Sequence, residues 1–353
     1  MVSKIIKSIS IILLTAVLIV GGFLLYTTFT DYKPEEITPL TVNNNQERIL
    51  KHGEAFSVTT FNIGYAGLDK DQDFFMDGGS MSRSSSEEQT RVNLEAISSF
   101  MTTVGSDLYL LQEVDVDSSR SYGIDQVSFL SSTFSNYSNV FATNYKVPWV
   151  PIPVLDPMGS AYSGLLTLSK LQSTNNTRYD LPGKETWPVQ QFELDRAFME
   201  IRLPVDNGKE LVLINLHLSA FDQGGTIRKQ QLEYLSTYIR QENEKGNYLI
   251  LGGDWNHSLP GTDPQTFETT QEWPEWLQQF PDNFQLEGFK WAVDPDIPSV
   301  RTLDIPYSEG VNFRAVIDGF LISPNIELRD VQGHDFSFEY SDHNPVTANL
   351  VLQ

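Results

Sequence analysis

The sequence predicts a mixed α/β (α+β) protein in which two β-sheets pack on each other with helices outside, preceded by a transmembrane helix. Three observations support this fold class. Short apolar or alternating runs mark many strands, amphipathic helical patterns lie between some of them, and a long uncharged segment precedes them all. Several neighbouring strands have no helix between them, which favours packed sheets over a single parallel sheet.

The N-terminal segment between Lys7 and Asp31 has no charged residue and is long enough to span a membrane, which takes ~20 apolar residues. Lys4 precedes it and Glu35 follows it, so the positive-inside rule places the N-terminus in the cytoplasm. We therefore expect a single-pass protein of the cell membrane with its main domain extracytoplasmic. A cleaved signal peptide is the alternative, but the run is long for one and no convincing cleavage site follows.

The predicted organisation has three parts. Residues 1–30 form the membrane anchor, residues 31–54 form a polar linker, and residues 55–353 form one globular domain. The linker prediction depends on three consecutive asparagines, prolines and the absence of apolar periodicity. No second linker and no internal repeat follow, so the remaining chain is treated as one unit.

The composition limits the function classes. The chain has no cysteine, which excludes a disulfide framework and a thiolate zinc site. Its formal net charge is −22 and it has no run of Lys or Arg, which disfavours tight non-specific binding to nucleic acid. A phosphate substrate remains compatible with this charge, because a bound divalent cation can reverse the local field.

The individual elements follow from local patterns. Apolar or alternating residues predict strands in the runs FSVTTF, DLYLLQ, GLLTLS, AFMEIRL, ELVLINLHL, NYLILGG and IDGFLIS, and in the last segment from Pro345 to Leu352. Helical spacing of apolar residues predicts two helices, one with Ile97, Phe100, Met101 and Val104 and one with Leu232, Leu235 and Ile239.

Polar side chains lie at one end of nearly every predicted strand. They are Asn62, Glu113, His217, Asp254, Asn256, Asp318, Asp342 and His343. Carboxylate and amide oxygens suit Mg²⁺, Mn²⁺ or Ca²⁺, and imidazole moves protons near neutral pH. The sequence has no G-x-S-x-G, no H-E-x-x-H and no Walker loop, so the set indicates attack by a positioned water and not covalent catalysis.

At these positions the sequence resembles the endonuclease/exonuclease/phosphatase superfamily, which includes pancreatic-type deoxyribonuclease, bacterial sphingomyelinase and inositol-polyphosphate 5-phosphatases. The motifs TFNIG, LLQEVD, INLHLS, GGDWN, VIDGFLIS and SDHNPV occur in the expected order, over roughly residues 56–352. The resemblance implies a four-layer sandwich of two packed sheets flanked by helices. Residues 55–353 would then be a catalytic domain.

The resemblance also implies roles. Glu113 would be the main metal ligand, with Asn62 and Asp342 beside it, and the ion would be Mg²⁺, with Mn²⁺ or Ca²⁺ as alternatives. Asp254 would orient or deprotonate the water. Asn256 would hold a phosphoryl oxygen, and His217 would stabilise or protonate the scissile phosphate. His343 would pair with Asp318 and either contact the phosphate or act as a base.

These expectations give a membrane-anchored, divalent-metal-dependent phosphoesterase, with a phosphodiester favoured, acting as a monomer. Its substrate would be a lipid headgroup, a small phosphodiester or a nucleic acid. The first alternative is an extracellular endonuclease acting on DNA or RNA, and the second is a non-catalytic binding module on the same fold. The complete set of polar strand ends argues against the binding module.

Arg196 and the run from Val147 to Leu155 each have two interpretations. Arg196 could reach a phosphate, although a structural ion pair is the favoured interpretation. The uncharged, proline-rich run from Val147 to Leu155 is interpreted first as a buried loop. The alternative is an exposed loop that touches lipid or a substrate acyl chain.

Overall fold

Two seven-stranded sheets form the centre of the molecule, because most of their strands are buried on both faces. The computed structural model describes residues 2–220, 222–284 and 286–353. Strands are numbered in chain order. The first sheet runs β1 (Ile37–Pro39), β7 (Asn175–Asp180), β8 (Ala197–Pro204), β9 (Glu210–His217), β10 (Tyr248–Asp254), β16 (Asp318–Ile322) and β13 (Lys290–Ala292). The second runs β17 (Ile326–Gly333), β18 (Val346–Leu352), β3 (Ala55–Asn62), β4 (Leu108–Asp115), β6 (Gly159–Ser169), β5 (Ser138–Val150) and β2 (Val42–Asn43).

Short ladders and helices complete the described parts of the chain. The ladders pair β11 (His257–Ser258) with β12 (Gln278–Gln279), and β14 (Val300–Arg301) with β15 (Arg314–Ala315). The helices are α1 (Val2–Thr30), α2 (Glu87–Val104), α3 (Gln126–Thr133) and α4 (Thr226–Glu244).

Three apolar clusters define four layers. The central cluster lies between the sheets and includes Val58, Leu110, Leu213 and Ile250. A second cluster packs α2 and α3 on the outer face of the second sheet, and a third packs α4 on the outer face of the first. The α/β (α+β) four-layer sandwich predicted from the sequence is therefore confirmed.

The predicted strands are all present, and both predicted helices lie where their apolar spacing indicated. Helix α2 begins after Ser86, whose side chain accepts a hydrogen bond from the Gln89 amide, and it ends at Gly105 with φ 62°. Among the strands of five or more residues, the sequence patterns missed β5, β7 and β17. The last two are polar edge or near-edge strands, and β5 contains a lysine and a proline, so neither alternation nor a continuous apolar run marks them.

The N-terminal helix α1 is exposed over nearly all of its length, with Thr27 buried near its end. Its length and apolar composition meet the requirements of a membrane span, which a signal sequence also meets. The segment predicted as a linker contributes β1, paired with β7, and β2, paired with β5. It is therefore attached to the edge of each sheet, by strands too short to leave a sequence pattern, and the boundary at residue 55 stays a prediction.

Candidate active site

The polar strand ends meet at one edge of the sandwich. In the first sheet, β10 lies between β9 and β16, so that Asp254 is in register with His217 on one side and Asp318 on the other. In the second sheet, Asn62 ends β3, and its side-chain nitrogen reaches Asp254 Oδ2 across the sandwich at 3.1 Å. The eight residues predicted from the sequence thus lie on or beside six different strands, and strand pairing brings them to one place.

His343 and Asp318 form a buried pair. The ring nitrogen Nδ1 lies 2.8 Å from Asp318 Oδ2 and donates to it, and the Ser299 hydroxyl donates to the same oxygen at 2.7 Å. This pairing was predicted from the sequence and is confirmed as a contact. Burial alone would lower the pKa of His343, but Asp318, Asp342 and Asp254 together raise it to about 10. The imidazolium form is therefore favoured, and its Nε2 faces the cleft, 3.7 Å from Asp254 Oδ2 and 3.9 Å from Asp342 Oδ2.

Asp254 lies at the centre of the group. Its Oδ1 accepts a hydrogen bond from the Asn256 amide at 2.9 Å, and its Oδ2 is 3.4 Å from Nε2 of His217. Burial, reinforced by the Asp318 carboxylate, raises the pKa of Asp254 to about 7. A carboxyl group with such a pKa can accept a proton near neutral pH.

His217 stays neutral for a different reason. Burial lowers its pKa well below the ordinary value, and the charges of Arg196 and His343 act in the same direction. Its Nδ1 is buried without a hydrogen-bond partner in the described part of the chain. A neutral imidazole still donates one N–H, so His217 can bind a phosphoryl oxygen without carrying charge.

Glu113, Asn62 and Asp342 lie on the other side of the cleft. The Asn62 amide donates to Glu113 Oε1 at 3.2 Å, and Asn62 Oδ1 accepts from the Gly64 amide at 3.0 Å. Burial, with the Glu113 carboxylate nearby, raises the pKa of Asp342 to about 6. A Cβ at Gly64 would lie 2.6 Å from Asp342 Oδ1, so this approach of backbone to carboxylate requires glycine.

A bulge directs Glu113 into the cleft. The pairing of β4 with β6 shifts register between Leu111 and Val114, and Glu113 has a φ of 55°, in the left-handed region. A non-glycine residue in this region is uncommon, and bulges often redirect a side chain beside an active site. The sequence predicted the residue but gave no sign of this backbone conformation.

Arg120 supports Glu113 from behind. Its guanidinium makes two hydrogen bonds with Asp115, at 2.9 and 3.2 Å, and lies 3.5 Å from Glu113 Oε2. It also lies 4.0 Å from the centre of the Tyr65 ring, in a cation–π arrangement. This buried arginine fixes the positions of the two acidic side chains that it contacts. In the sequence, the only sign of this role is that Arg120 follows Glu113 by seven positions.

Arg196 differs from the sequence interpretation. It lines the cleft, and among the residues that the structure describes it forms no ion pair, with Nη1 buried and without a hydrogen-bond partner. The favoured interpretation, that Arg196 forms a structural ion pair, is therefore wrong. Strand pairing brings Arg196 beside the acidic group, and the local sequence does not show which strands pair.

The cleft has a volume of about 510 Å³ and two unlike walls. One wall carries the acidic and imidazole groups described above. The other is apolar and includes Phe75, Met158 and Phe192. A polar reaction centre beside an apolar wall is typical of a small-molecule site that orients an amphipathic substrate.

The donor set fits a hard divalent cation. Asp254, Asp318 and His343 offer ligand atoms within 4.8 Å of one another, and Asp318 Oδ1 is buried without a hydrogen-bond partner among the described residues. Glu113 and Asp342 add a second set of carboxylates at the same cleft, and the Asn62 oxygen beside them accepts from the Gly64 amide. Since Asp318 and His343 already bind each other at 2.8 Å, the second set is the better candidate for a metal.

Comparisons with known proteins agree with this geometry. The model of the Endonuclease/Exonuclease/phosphatase family matches residues 59–343. A structure of an endonuclease/exonuclease/phosphatase from Beutenbergia cavernae is similar, with a TM-score of 0.58 and 18% identity, over 84% of this chain and 72% of that chain. D. rerio TDP2 complexed with a single-strand DNA product is similar at a TM-score of 0.53 and 14% identity, over 84% of this chain and 99% of the other.

The catalytic domain of human nocturnin with a bound sulfate anion is similar at a TM-score of 0.51 and 14% identity, over 90% of this chain and 99% of that one. At these identities the structural likenesses support the fold alone. A search of curated proteins found no match.

Proposed function

The chain belongs to the endonuclease/exonuclease/phosphatase family and is a hydrolase acting on phosphate ester bonds, and we propose that it is a membrane-anchored, extracytoplasmic phosphodiesterase that uses Mg²⁺. The observation that carries this proposal is the meeting of Asp254, the Asp318–His343 pair and Glu113 at one cleft. Each group has the chemistry that hydrolysis by water requires.

Asp254 is the proposed acceptor of the proton of the attacking water. Its pKa of about 7 leaves a useful fraction in the carboxylate form at neutral pH. The Asn62 amide and the Asn256 backbone amide hold its two oxygens in place. A fixed carboxylate aims the water at phosphorus and does not have to reorganise during the reaction.

His343, His217 and Asn256 are proposed to contact the phosphoryl oxygens. His343 offers a charged N–H, and His217 a neutral one. Asn256 Nδ2 donates to the Leu218 carbonyl at 2.8 Å and keeps a second hydrogen for the substrate. Arg196 lines the same cleft, and its buried Nη1 has no partner within the described parts of the chain, so it is a fourth donor that suits a phosphate oxygen.

Glu113, Asn62 and Asp342 are proposed to hold the Mg²⁺, with Mn²⁺ or Ca²⁺ as alternatives. When bound, the ion would neutralise charge on the phosphoryl group and on the leaving oxygen. Burial, and to a smaller extent the Glu113 carboxylate, raise the pKa of Asp342, and a cation at this place would lower it again.

The endonuclease alternative has one specific observation in its favour, since the similar D. rerio TDP2 was solved with a DNA product. Against it stand the net charge of −22 and the absence of a Lys or Arg run along this chain. A small or lipid phosphodiester therefore remains the favoured substrate. The monomeric state stays part of the proposal.

The test is a substrate panel with the purified full chain in detergent and Mg²⁺. It compares a soluble aryl phosphodiester, an aryl phosphomonoester, inositol phosphates, sphingomyelin, RNA and plasmid DNA. We expect hydrolysis of the aryl phosphodiester to exceed that of the monoester and to stop in excess EDTA. Preferred cleavage of DNA or RNA would support the endonuclease alternative, and EDTA-resistant hydrolysis would contradict the metal-dependent mechanism.

A further inference from the structure

Six large apolar side chains are exposed at one mouth of the cleft, one at the end of β5 and the others on two loops. We call them the apolar rim, and they are Trp149, Ile152, Val154, Leu155, Trp187 and Val189. Val154 is 83% exposed and Leu155 is 99% exposed, so the interpretation of this whole run as a buried loop is wrong. Large apolar side chains that cluster at the surface indicate an interaction site.

The two loops of the rim are joined through β5. The hydroxyl of Tyr145, on β5, lies 3.1 Å from the Phe192 carbonyl, and Phe192 packs on the apolar cluster that contains Val150 and Met158. Ile152 and Val189 are both exposed members of the rim and lining residues of the cleft. These two residues therefore connect the apolar wall of the cleft with the exposed rim.

The same loop contacts the end of the membrane helix. The rings of Phe23 and Phe192 stack with their centres 6.0 Å apart. Thr28 donates to the Gln191 side chain at 2.8 Å and accepts a hydrogen bond from the Trp187 indole at 3.1 Å. The last turns of α1 thus lie against the rim.

Helix length places the rim at the membrane surface. The helix has 29 residues and is therefore roughly 43 Å long at 1.5 Å per residue, against about 30 Å for the hydrocarbon core. Because Lys4 and Lys7 belong at the cytoplasmic end, the turn with Thr28 belongs at the opposite interface. Tryptophan beside aliphatic side chains is typical of segments at that depth.

We propose that the apolar rim is seated in the outer part of this membrane leaflet and that the substrate is a phospholipid phosphodiester taken from it. This inference rests on the proposed phosphodiesterase function. The acyl chains would follow the rim and the apolar wall of the cleft, while the phosphate reaches Glu113 and His343. Water adds to phosphorus, one P–O ester bond breaks, the leaving oxygen takes up a proton, and a phosphomonoester and an alcohol result.

The position of the rim in the membrane can be tested without an activity assay. The chain has no cysteine, so Leu155→Cys gives a single site for an environment-sensitive fluorophore in the full chain, reconstituted in phosphatidylcholine nanodiscs. Val92→Cys, exposed on α2 away from the rim, is the matched control. For the label at 155 we expect a blue shift of the fluorescence emission and quenching by lipids that carry a shallow quencher. The label at 92 should show neither effect. Equal exposure of both labels to water would overturn the proposal.

The substrate is tested in the same discs. The double variant Val154→Asp, Leu155→Asp changes side chains that do not line the cleft, and Val92→Asp is its control. We expect the double variant to lose at least ~10-fold in hydrolysis of disc phosphatidylcholine, with hydrolysis of a soluble aryl phosphodiester unchanged, since only seating depends on the rim.

Three other outcomes are distinguishable. Wild-type hydrolysis of the aryl phosphodiester without hydrolysis of the lipid would overturn the lipid inference and leave the proposed function standing. Equal loss of both activities in the double variant would also overturn it, because the rim would then act only through the fold. Inactivity of the wild type on both phosphodiesters would instead contradict the proposed function.

Discussion

Individual residues in the cleft differ in protonation because their surroundings differ. His343 is surrounded by three carboxylates and is favoured as the cation, whereas His217 is buried near arginine and stays neutral. Asp254 is raised to a pKa of about 7 by burial and by Asp318. The two imidazoles and the carboxyl group thus differ in protonation because of their positions alone.

The first prediction concerns the Asp318–His343 pair. His343→Ala should lower turnover at least ~10²-fold, the usual loss when a proton-donating group is removed. Asp318→Asn removes the nearest charge that raises the pKa of His343, so the alkaline limb of the rate profile should move to lower pH. Turnover against pH measures both effects. His52→Ala, exposed and outside the cleft, is the control. An unmoved alkaline limb in Asp318→Asn would count against the charged role of His343.

The second prediction concerns the metal. Glu113→Gln keeps the shape of the side chain and removes its charge, so the Mg²⁺ concentration for half-maximal rate should rise at least ~10-fold. The measurement is a Mg²⁺ titration of the rate. Glu95→Gln, on the exposed face of α2, should leave the titration unchanged. The same Mg²⁺ requirement in Glu113→Gln and wild type would remove Glu113 from the metal site.

The third prediction concerns Arg196. If its unpaired Nη1 contacts the phosphate, Arg196→Gln should raise KM or lower kcat/KM by ~10-fold or more, since a charge-assisted hydrogen bond is lost. Arg196→Lys should restore part of the loss by keeping the charge. Arg91→Gln, at an exposed ion pair on α2, is the matched control. Equal defects in the Gln and Lys variants, with a lowered melting temperature, would indicate a structural role.

Two elements show how the fold supports the site. The bulge in β4 turns Glu113 into the cleft, as described above. On the outer face of the first sheet, the Arg202 side chain of β8 binds the carboxylates of Glu200 and Glu242 and so connects this strand to α4. The helix in turn covers β9 and β10, whose ends carry His217 and Asp254.

The fourth prediction follows from this ion-pair group. Burial alone would raise the pKa of Glu242, but hydrogen bonds from Arg202, Lys245 and Asn247 lower it from 4.5 to about 2. A lowered carboxyl pKa stabilises the fold above pH 4.5, and this contribution is lost as the pH falls toward 2. Glu242→Gln should therefore cost about 2 kcal/mol at pH 7, or a few degrees in Tm, and the difference should shrink toward pH 2.

Thermal unfolding of the full chain in detergent, at pH 7 and pH 3, measures this effect. Glu233→Gln, on the exposed face of the same helix, controls for loss of one negative charge. A difference between wild type and Glu242→Gln that is the same at both pH values would show that the ion pairs are not its source.

At the scale of the whole molecule, charge and hydropathy are unevenly distributed. The first 30 residues carry two lysines and no acidic residue, while the remaining chain is strongly acidic. The helix, the rim and the cleft lie in succession, because the last turns of α1 contact the loop that lines the cleft. This arrangement suits an enzyme held against a lipid surface.

The fifth prediction is the orientation. A reporter fused after Gln353 should be active only in its exported form, and protease added outside should reach the domain, because the positive-inside rule keeps Lys4 and Lys7 in the cytoplasm. Exchanging these two lysines for glutamate should weaken the bias, with Lys229→Glu and Lys290→Glu, both exposed in the main domain, as the charge-matched control. Complete protection of the domain from protease in permeable envelopes would contradict the orientation.

The sequence by itself determined the residue types at the strand ends, most of the strands, two helices and the apolar N-terminal segment. These follow from patterns within one element, where alternation or helical spacing reports which side chains are buried. Only the tertiary structure decided which of them meet. Asp318 and His343 are 25 positions apart and Asn62 and Asp254 are 192 apart, and their contacts depend on strand order, which local periodicity does not encode. The same holds for Arg196, whose Nη1 has no hydrogen-bond partner among the described residues, and for the exposed rim, since burial of a loop or a charge is decided by the elements that pack beside it.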